Sequence, residues 1–202
     1  MVKVAIFDYG AGNIFSLKNS LEKNNAEVDV ITNFDNSNSY SGLILPGVGN
    51  FDPAIKSIRE RSKKQFNEFV KDKMPVLGIC LGMEMFFEKS EEGKEKGLEI
   101  MKGEVVLLPK NMKIPHMGWN NIQIKQQSKI LDGIKDGSWV YFVHSYRVKP
   151  KNDTIVVAAA DYGIQVPAVV EERTFFGTQF HPEKSGQIGT MMIQNFLSVC
   201  KK

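Results

Sequence analysis

The sequence has few cysteines, no long apolar run and no recognisable leader. Its 202 residues include two cysteines, Cys80 and Cys200. Two thiols far apart in a chain of this size make a poor disulfide framework, so we expect both to be reduced. No stretch approaches the roughly 18 apolar residues that cross a bilayer, and the N-terminal run lacks the apolar core and cleavage site of a signal peptide. These absences predict a cytoplasmic protein without membrane contact.

The charge of the chain is close to balanced. Its 26 basic and 23 acidic residues give a formal net charge of +3. So small an excess gives no reason to expect nucleic acid or an anionic membrane as a partner. Histidine is also scarce. His116 and His144 form neither an H-x-x-x-H nor an H-E-x-x-H pattern and have no cysteine nearby, so we expect no metal site.

In the first half of the chain, short apolar runs alternate with helical patterns. These patterns predict strands over 2–7, 28–31, 42–45 and 76–79, a loop over 33–41, and helices that start near Asn13 and Pro53 or span 83–89. Phe69 and Val70 continue the second helical pattern. Strands that are apolar on both faces and alternate with helices are typical of a parallel sheet covered on both sides.

The second half of the chain changes to strand-like patterns with few helices. We predict strands over 104–108, 121–125, 139–143, 154–160, 166–172 and 175–180, and a final helix over about 186–199. We see no internal repeat or linker. We therefore predict one domain spanning residues 1–202, with an α/β fold: a mixed, mostly parallel central sheet, helices on both faces, and additional antiparallel strands in the second half.

The stretch GICLGME at 78–84 places a cysteine between two glycines, directly after a predicted strand. A strand that runs into a tight turn and a helix lifts a nucleophile out of the sheet, as in the G-x-S-x-G elbow, and Gly78 and Gly82 would relieve crowding there. The Leu81 backbone N–H would point at an oxyanion, and the helix N-terminus would lower the pKa of the Cys80 thiol. A buried structural cysteine beside packing glycines is the alternative.

A thiolate nucleophile needs a base, and the segment QFHPE at 179–183 offers one. In an extended segment, residues two apart face the same side, so Glu183 can orient the His181 imidazole. Nucleophile, base and carboxylate together would form a catalytic triad of the Cys-His-carboxylate type. Taken alone, the segment favours a surface His-Pro-Glu turn; with Cys80 on an elbow, catalysis is the better interpretation.

Two glycine-containing turns also follow predicted strands. The stretch PGVGN at 46–50 lies where a strand ends, and sites of open parallel sheets form at such ends. Its backbone N–H groups can be aimed at a substrate oxygen, although a plain turn is the alternative. The stretch GAGNIF at 10–15 lacks the third glycine of G-x-G-x-x-G, so we expect no nucleotide cofactor.

Together these segments resemble a known family. PGVGNF, GICLGM and QFHPEKS, in this order, resemble the triad-type (class I) glutamine amidotransferases. DYGAGNIFSL at 8–17, PHMGWNNI at 115–122 and YFVHSYRV at 141–148 narrow the resemblance to the glutaminase subunit of imidazole glycerol phosphate synthase, from histidine biosynthesis. The resemblance runs from the first strand to the last helix and implies a flavodoxin-like fold.

The resemblance implies a role for each matching residue. Cys80 would attack the side-chain amide of L-glutamine, His181 would protonate the leaving ammonia and then activate water, and Glu183 would orient His181. The oxyanion would be held by the N–H of Leu81 and by the loop formed by Val48 and Gly49. The residues that match the glutamine pocket are Gly49, Glu84, Glu92, Ser145 and Tyr146. No cofactor is implied.

The resemblance also implies a partner. The ammonia would pass to a separate (β/α)₈ cyclase subunit in a heterodimer, which would form imidazole glycerol phosphate and aminoimidazole carboxamide ribotide. Positions that resemble those near the cyclase are Asn13, Met117, Trp119, Asn120 and Lys184. Trp119 could instead be core packing. His144 is interpreted as a pocket wall or a satisfied core histidine, and His116 as an interface residue or one without a special role.

Glu84 departs from the family pattern, which usually has glutamine at this position. The i, i+4 spacing puts residue 84 on the helix face below Cys80. An ionised glutamate only accepts hydrogen bonds, and its charge should raise the pKa of the thiol. Three interpretations follow: Glu84 binds the α-ammonium of glutamine or turns out of the pocket, it is protonated by burial and imitates glutamine, or the pocket is weakened or serves a different acceptor.

Two other functions compete with this interpretation. One is a related glutaminase that serves another acceptor synthase, and the other is a weakly active or non-catalytic partner of a synthase that uses free ammonia. The complete set of Cys80, His181 and Glu183 argues against the second, whereas Glu84 argues for it. A cysteine hydrolase or chaperone-like protein of similar α/β architecture would leave the HPE segment at 181–183 and the pair Ser145 and Tyr146 unexplained.

Overall fold

We describe a computed structural model over residues 1–10, 13–34, 39–71 and 74–201, with the side chains of the helix at 51–71 given for 51–60 and 66. In chain order the elements are β1 Val2–Phe7, α1 Ile14–Lys23, β2 Ala26–Ile31, β3 Gly42–Leu45, α2 Phe51–Lys71, β4 Val76–Ile79, α3 Leu81–Glu84, β5 Lys89–Ser90, β6 Gly103–Leu107, β7 His116–Ile124, β8 Trp139–His144, β9 Tyr146–Pro150, β10 Val156–Asp161, β11 Gln165–Glu172, β12 Phe175–Thr178 and α4 Gly186–Val199. Ala11 and Gly12 of the first glycine turn, residues 35–38 of the loop over 33–41, and the side chains of Phe69 and Val70 lie outside the described residues.

A nine-stranded sheet forms the centre of the fold, in the order β2-β1-β3-β4-β12-β11-β10-β7-β8. The five strands from β2 to β12 are parallel, and the pairings from β12 to β8 are antiparallel. A second sheet contains β5, β6 and β9. The predicted fold class, a parallel sheet extended by antiparallel strands from the second half, is confirmed.

The parallel strands are apolar on both faces because helices cover both sides. Along β1, Val4 and Ile6 pack in one core cluster with Leu21 of α1. Phe7 packs in the opposite cluster with Ile55 of α2. The two clusters sandwich the sheet, which explains why its strands read as continuous apolar runs rather than as alternating ones.

Helix α1 begins where the sequence predicts. The side-chain oxygen of Asn13 accepts a hydrogen bond from the Ser16 N–H at 3.2 Å, which satisfies one of the free N–H groups of the first turn. The final helix, α4, also has the predicted bounds.

The predicted helix over 83–89 is wrong. Helix α3 starts earlier and ends at Glu84. The carbonyls of Met85 and Phe86 accept hydrogen bonds from the N–H groups of Leu98, at 2.7 Å, and Ile100, at 2.9 Å. Because a distant segment takes these carbonyls, the helical ladder does not continue and the chain turns into β5.

The strands of the second half differ in length from the predictions. Strand β7 starts at His116, five residues before the predicted start, and β9 was not predicted as a strand. The sequence of β7, HMGWNNIQI, does not alternate strictly between apolar and polar residues, and that of β9, YRVKP, is short and ends in proline, so neither gives a clear strand pattern. Within the described residues, no helix is long and apolar enough to span a membrane.

Candidate active site

Cys80 occupies a strained turn between β4 and α3. Its backbone has φ +48° and ψ −105°, a region that residues other than glycine rarely adopt. A Cβ at Gly78 would lie 2.6 Å from the backbone of Gly82, and a Cβ at Gly82 would lie 2.1 Å from the Leu45 carbonyl oxygen. Both glycines are therefore required for the close approach, as the elbow interpretation predicts.

The Cys80 sulfur lies in a nearly closed environment. Its neighbours include the Leu81 N–H, whose hydrogen bond favours the thiolate, and the side-chain nitrogen Nε2 of Gln179 at 3.7 Å. Burial, followed by the charge of Glu84, nevertheless raises the pKa of the thiol well above its usual range. The N–H of Leu81 at the start of α3 does lower this pKa, as expected, but burial and the charge of Glu84 outweigh it.

The base and its orienting carboxylate follow β12. Because β12 pairs with β4 in parallel, with Thr178 opposite Ile79, the segment after Thr178 emerges beside Cys80. His181 Nδ1 lies 2.8 Å from Glu183 Oε1. Since the carboxylate accepts, Nδ1 carries the proton in the neutral ring and Nε2 is the basic nitrogen. Nε2 is buried and has no hydrogen-bond partner among the described residues.

A cavity of about 300 Å³ opens beside the cysteine. The residues that line it are Gly47, Val48, Gly49, Cys80, Leu81, Glu84, Glu92, Pro115, Val143, His144, Ser145 and Tyr146. All the residues named from the sequence for the oxyanion hole and the glutamine pocket are among them. The structure thus brings the loop after β3, the elbow after β4 and the β8–β9 corner together at the carboxyl ends of parallel strands β3 and β4.

Glu84 faces this cavity from α3 and is 4% exposed. Its Oε1 lies 3.3 Å from Gln179 Nε2. Burial, with a smaller contribution from the charge of Glu92, raises the pKa of Glu84 to about 8, while the hydrogen bond from Gln179 acts in the opposite direction. The structure therefore places Glu84 in the pocket, not turned away from it.

Glu92 closes another side of the cavity. Its Oε2 accepts a hydrogen bond from the Phe51 N–H, at 3.2 Å, where α2 begins. Burial raises the pKa of this carboxyl. The pocket wall is therefore tied to the helix that covers one face of the sheet.

His144 and His116 form a buried pair behind the pocket. His144 Nδ1 lies 2.7 Å from the Tyr146 carbonyl oxygen, so Nδ1 carries the proton and Nε2 accepts from His116 Nδ1 at 3.0 Å. Burial lowers the pKa of His144 to about 3 and that of His116 to about 4. His144 is thus both a pocket wall and a hydrogen-bonded neutral histidine.

Of the residues predicted near a partner, some are exposed and others make hydrogen bonds within the chain. Met117 and Trp119 of β7 are 61% and 53% exposed, so core packing of Trp119 is excluded. Lys184 is exposed in the turn over 182–184. Asn120 instead donates to the Asp161 carbonyl oxygen at 2.8 Å and lies 3.4 Å from His116 Nε2, and the Asn13 side chain caps α1.

Two polar residues of the site were not assigned from the sequence. Gln179 is fully buried between Cys80 and Glu84. Its position two residues before His181 on an extended segment was the available signal. Tyr9 is buried, and its hydroxyl donates to the Pro46 carbonyl. Burial, followed by the charges of Cys80 and Glu84, raises the pKa of Tyr9.

Comparisons with known proteins identify the family of the chain. Residues 5–200 match the family of class-I glutamine amidotransferases. The chain is 43% identical over 200 residues to the imidazole glycerol phosphate synthase subunit HisH of Caldanaerobacter subterraneus subsp. tengcongensis, covering 98% of each chain. It is 41% identical over 204 residues to the HisH subunit of Aquifex aeolicus, covering 100% of this chain and 99% of the relative.

A solved structure shows the same fold at lower identity. PurLQS from Thermotoga maritima superimposes with a TM-score of 0.78 at 18% identity, covering 98% of both chains. The fold match, the family match and the full-length identity to HisH subunits point the same way. The chain belongs to the class-I glutamine amidotransferases and, within them, to the HisH subunits of imidazole glycerol phosphate synthase.

Proposed function

We propose that this chain hydrolyses L-glutamine to glutamate and ammonia with Cys80 as the nucleophile, His181 as the base and Glu183 as the residue that orients the base. The observation that supports this most is the position of Cys80: a strained elbow cysteine that lines a cavity of about 300 Å³ and is close enough to the buried His–Glu pair for the charge of Glu183 to act on its thiol. A structural cysteine would need neither the strain nor the cavity.

The reaction follows from the roles of these groups. Nε2 of His181 takes the Cys80 proton as the sulfur attacks the amide carbon, and the oxyanion is held by the N–H groups of Leu81 and the loop at Val48 and Gly49. The C–N bond breaks when His181 returns the proton to the leaving nitrogen, giving ammonia and a glutamyl thioester. Water, deprotonated by His181, then attacks the thioester and releases glutamate with the thiol restored.

The substrate would bind in the cavity through Gly49, Glu84, Glu92, Ser145 and Tyr146. The cavity combines carboxyl, hydroxyl and backbone groups, which suits a small zwitterionic amide. Glu92 and the backbone groups are available for the α-ammonium and α-carboxylate of glutamine. No cofactor takes part in this scheme.

The partner of the chain would be a cyclase subunit, in a heterodimer. Ammonia would pass to it for the formation of imidazole glycerol phosphate and aminoimidazole carboxamide ribotide in histidine biosynthesis. Met117 and Trp119 are exposed, as is Lys184, and the Cβ position of Gly186, two residues after Lys184, lies 4.0 Å from Trp119. These residues would supply an apolar and basic docking surface, and we expect Asn13 and Asn120 to flank it. We place the complex in the cytoplasm, with residues 1–202 acting as one amidotransferase domain.

One observation favours a second candidate function. Glu84 stands in the pocket where the family usually has glutamine, so the chain could be a weakly active subunit or serve a different acceptor synthase. The experiment that separates these functions measures glutamate and ammonia release from glutamine. It uses the chain alone and mixed with a histidine-pathway cyclase and its ribulosyl ligand.

The assay compares the unmodified chain with Cys80→Ala, Glu84→Gln and, as a control, Cys200→Ala at the other buried thiol. The proposal expects turnover that the cyclase stimulates, its loss in Cys80→Ala and its retention in Cys200→Ala. Appreciable turnover by Cys80→Ala would refute the mechanism. A silent unmodified chain that Glu84→Gln activates would establish the second candidate.

A further inference from the structure

Gln179 joins Cys80 and Glu84 through a single amide nitrogen. Its Nε2 lies 3.7 Å from the Cys80 sulfur and 3.3 Å from Glu84 Oε1. A side-chain amide nitrogen carries two hydrogens, so one can be donated to each neighbour. Cys80, Glu84 and Gln179 are 7%, 4% and 0% exposed, so burial strengthens these contacts.

The surroundings of Glu84 disfavour its ionised form. A buried carboxylate needs a cation or several donors to offset its lost hydration. Among the described residues, the titratable groups that interact electrostatically with Glu84 are Cys80 at the start of its own helix, Tyr9 after β1, Glu92 across the cavity and Tyr146 on β9. Each of these groups is neutral or negative, and none is a cation. In the described part of the chain, the side-chain carboxyl of Glu84 receives one hydrogen bond, from the amide of Gln179.

We propose that Gln179 is a positioning residue whose amide holds the Cys80 sulfur and a neutral, protonated Glu84 together. This rests on the proposed glutaminase function and deepens it. The neutral carboxylic acid both accepts, from Gln179, and donates, toward the cavity, and it thereby supplies the donor and acceptor that a glutamine side chain would supply. When Glu84 loses its proton, it becomes acceptor-only and places a negative charge beside the sulfur, which suppresses formation of the thiolate.

The proposal predicts a pH-dependent coupling between two residues. Below about pH 7, Glu84 is protonated and should exert no charge on Cys80, since burial raises its pKa to about 8. Above about pH 9, it is ionised and disfavours the thiolate. A coupling of one pKa unit changes the thiolate fraction about tenfold.

The test measures the rate at which iodoacetamide alkylates Cys80 between pH 6 and 10. All variants carry Cys200→Ser, so that Cys80 is the reactive thiol. We expect the parent and Glu84→Gln to react at equal rates at pH 6–7 and Glu84→Gln to react about tenfold faster above pH 9. A faster Glu84→Gln already at pH 6 would show that Glu84 is ionised, and equal rates at every pH would show that the two groups are uncoupled. Either result overturns the proposal.

The role of Gln179 is tested in the same assay with Gln179→Met, which keeps the length of the side chain and removes both donors. The Gln179 amide lowers the pKa of both the Cys80 thiol and the Glu84 carboxyl. Without it, we expect alkylation to be several-fold slower at every pH. We also expect the pH at which ionised Glu84 begins to slow alkylation to be higher than in the parent. The matched control Gln165→Met, at the exposed start of β11, should keep the parent profile. An unchanged profile in Gln179→Met would refute the positioning role.

If Gln179→Met does not fold, Gln179→Asn replaces it, since the shorter amide also withdraws from both partners. Alkylation requires no glutamine. A chain that fails to hydrolyse glutamine therefore still gives a valid alkylation profile, and failure of the proposed function is distinguished from failure of this coupling.

Discussion

His181 Nδ1 lies 2.8 Å from Glu183 Oε1, and both side chains are almost completely buried. The carboxylate accepts from the ring and fixes the tautomer in which Nε2 is the base. An ionised Glu183 also stabilises the imidazolium that forms when His181 takes a proton. The hydrogen bond between these two residues should therefore affect the rate of the reaction.

Replacing Glu183 by glutamine should reduce glutamine hydrolysis without unfolding the chain. An amide can donate to Nδ1, which favours the tautomer with the proton on Nε2 and removes the base. By analogy with other catalytic triads, we expect a decrease in kcat of about 10²- to 10⁴-fold. Steady-state glutamate release, with thermal unfolding as the control for folding, measures this. A kcat within twofold of the parent would show that Glu183 does not orient the base.

Replacing Gly82 by alanine should disrupt the elbow. The added Cβ would lie 2.1 Å from the Leu45 carbonyl oxygen, so β3 and α3 must separate. Overpacking of this kind typically costs about 1–3 kcal/mol, and we expect glutaminase activity to fall with it. Chemical unfolding measures the loss.

Gly137→Ala is the control at a glycine without a close neighbour. Gly137 has a positive φ of 77°, and no atom lies within 4 Å of the Cβ that an alanine would add. The Gly137→Ala variant therefore measures the cost of the backbone conformation alone, about 1–2 kcal/mol. We expect it to retain activity. If Gly82→Ala behaved like this control in both stability and activity, the close approach of the two segments would not matter.

Glu84 should make the stability of the protein depend on pH. Its pKa is about 8 in the folded chain against 4.5 for an ordinary glutamate, so the folded state binds the proton more tightly than the unfolded state. The stabilisation that this proton gives is complete below pH 4.5 and is lost as pH rises through 8. Glu84→Gln lacks this loss.

We therefore expect Glu84→Gln to gain stability over the parent as pH rises from 5 to 8. The interval from 4.5 to about 8 corresponds to at most roughly 5 kcal/mol. Urea unfolding at several pH values measures the difference. A constant difference between the two proteins across this range would contradict the burial of a protonated Glu84.

Trp119→Ala should weaken the complex with a cyclase and spare the isolated chain. Trp119 is 53% exposed on β7, and truncation of an aromatic anchor at an interface commonly costs 2 kcal/mol or more. We expect a dissociation constant raised by about 30-fold and an unchanged thermal unfolding midpoint. Val30→Ala on β2, at the opposite edge of the sheet and 41% exposed, is the control. Equal binding by Trp119→Ala and Val30→Ala would place the interface elsewhere.

The parts of the fold that follow from local pattern could be predicted from the sequence. Strand β1 is apolar at successive positions because both of its faces are covered. The start of α1 could be predicted because Asn13 is a residue type that caps helices. The early end of α3 could not be predicted, since it depends on hydrogen bonds from Leu98 and Ile100. Such long-range competition leaves no trace in the local sequence.

The same division holds for the site. The glycines around Cys80 and the spacing of His181 and Glu183 carry their chemistry in short motifs, and the cavity collects the pocket residues that the resemblance implies. The pKa of the Cys80 thiol could not be predicted, because it depends on how completely the fold excludes water. Gln179 was missed because its contacts to Cys80 and Glu84 cross about a hundred residues of chain.

The most direct test of the account is to trap the acyl intermediate. The chain, in complex with a cyclase and its ligand, is mixed with glutamine, quenched in acid at short times and analysed by peptide mass spectrometry, with Cys80→Ala as the control. The account predicts a glutamyl adduct on the peptide that contains Cys80. Glutamate release without that adduct, or an adduct on Cys200, would contradict it.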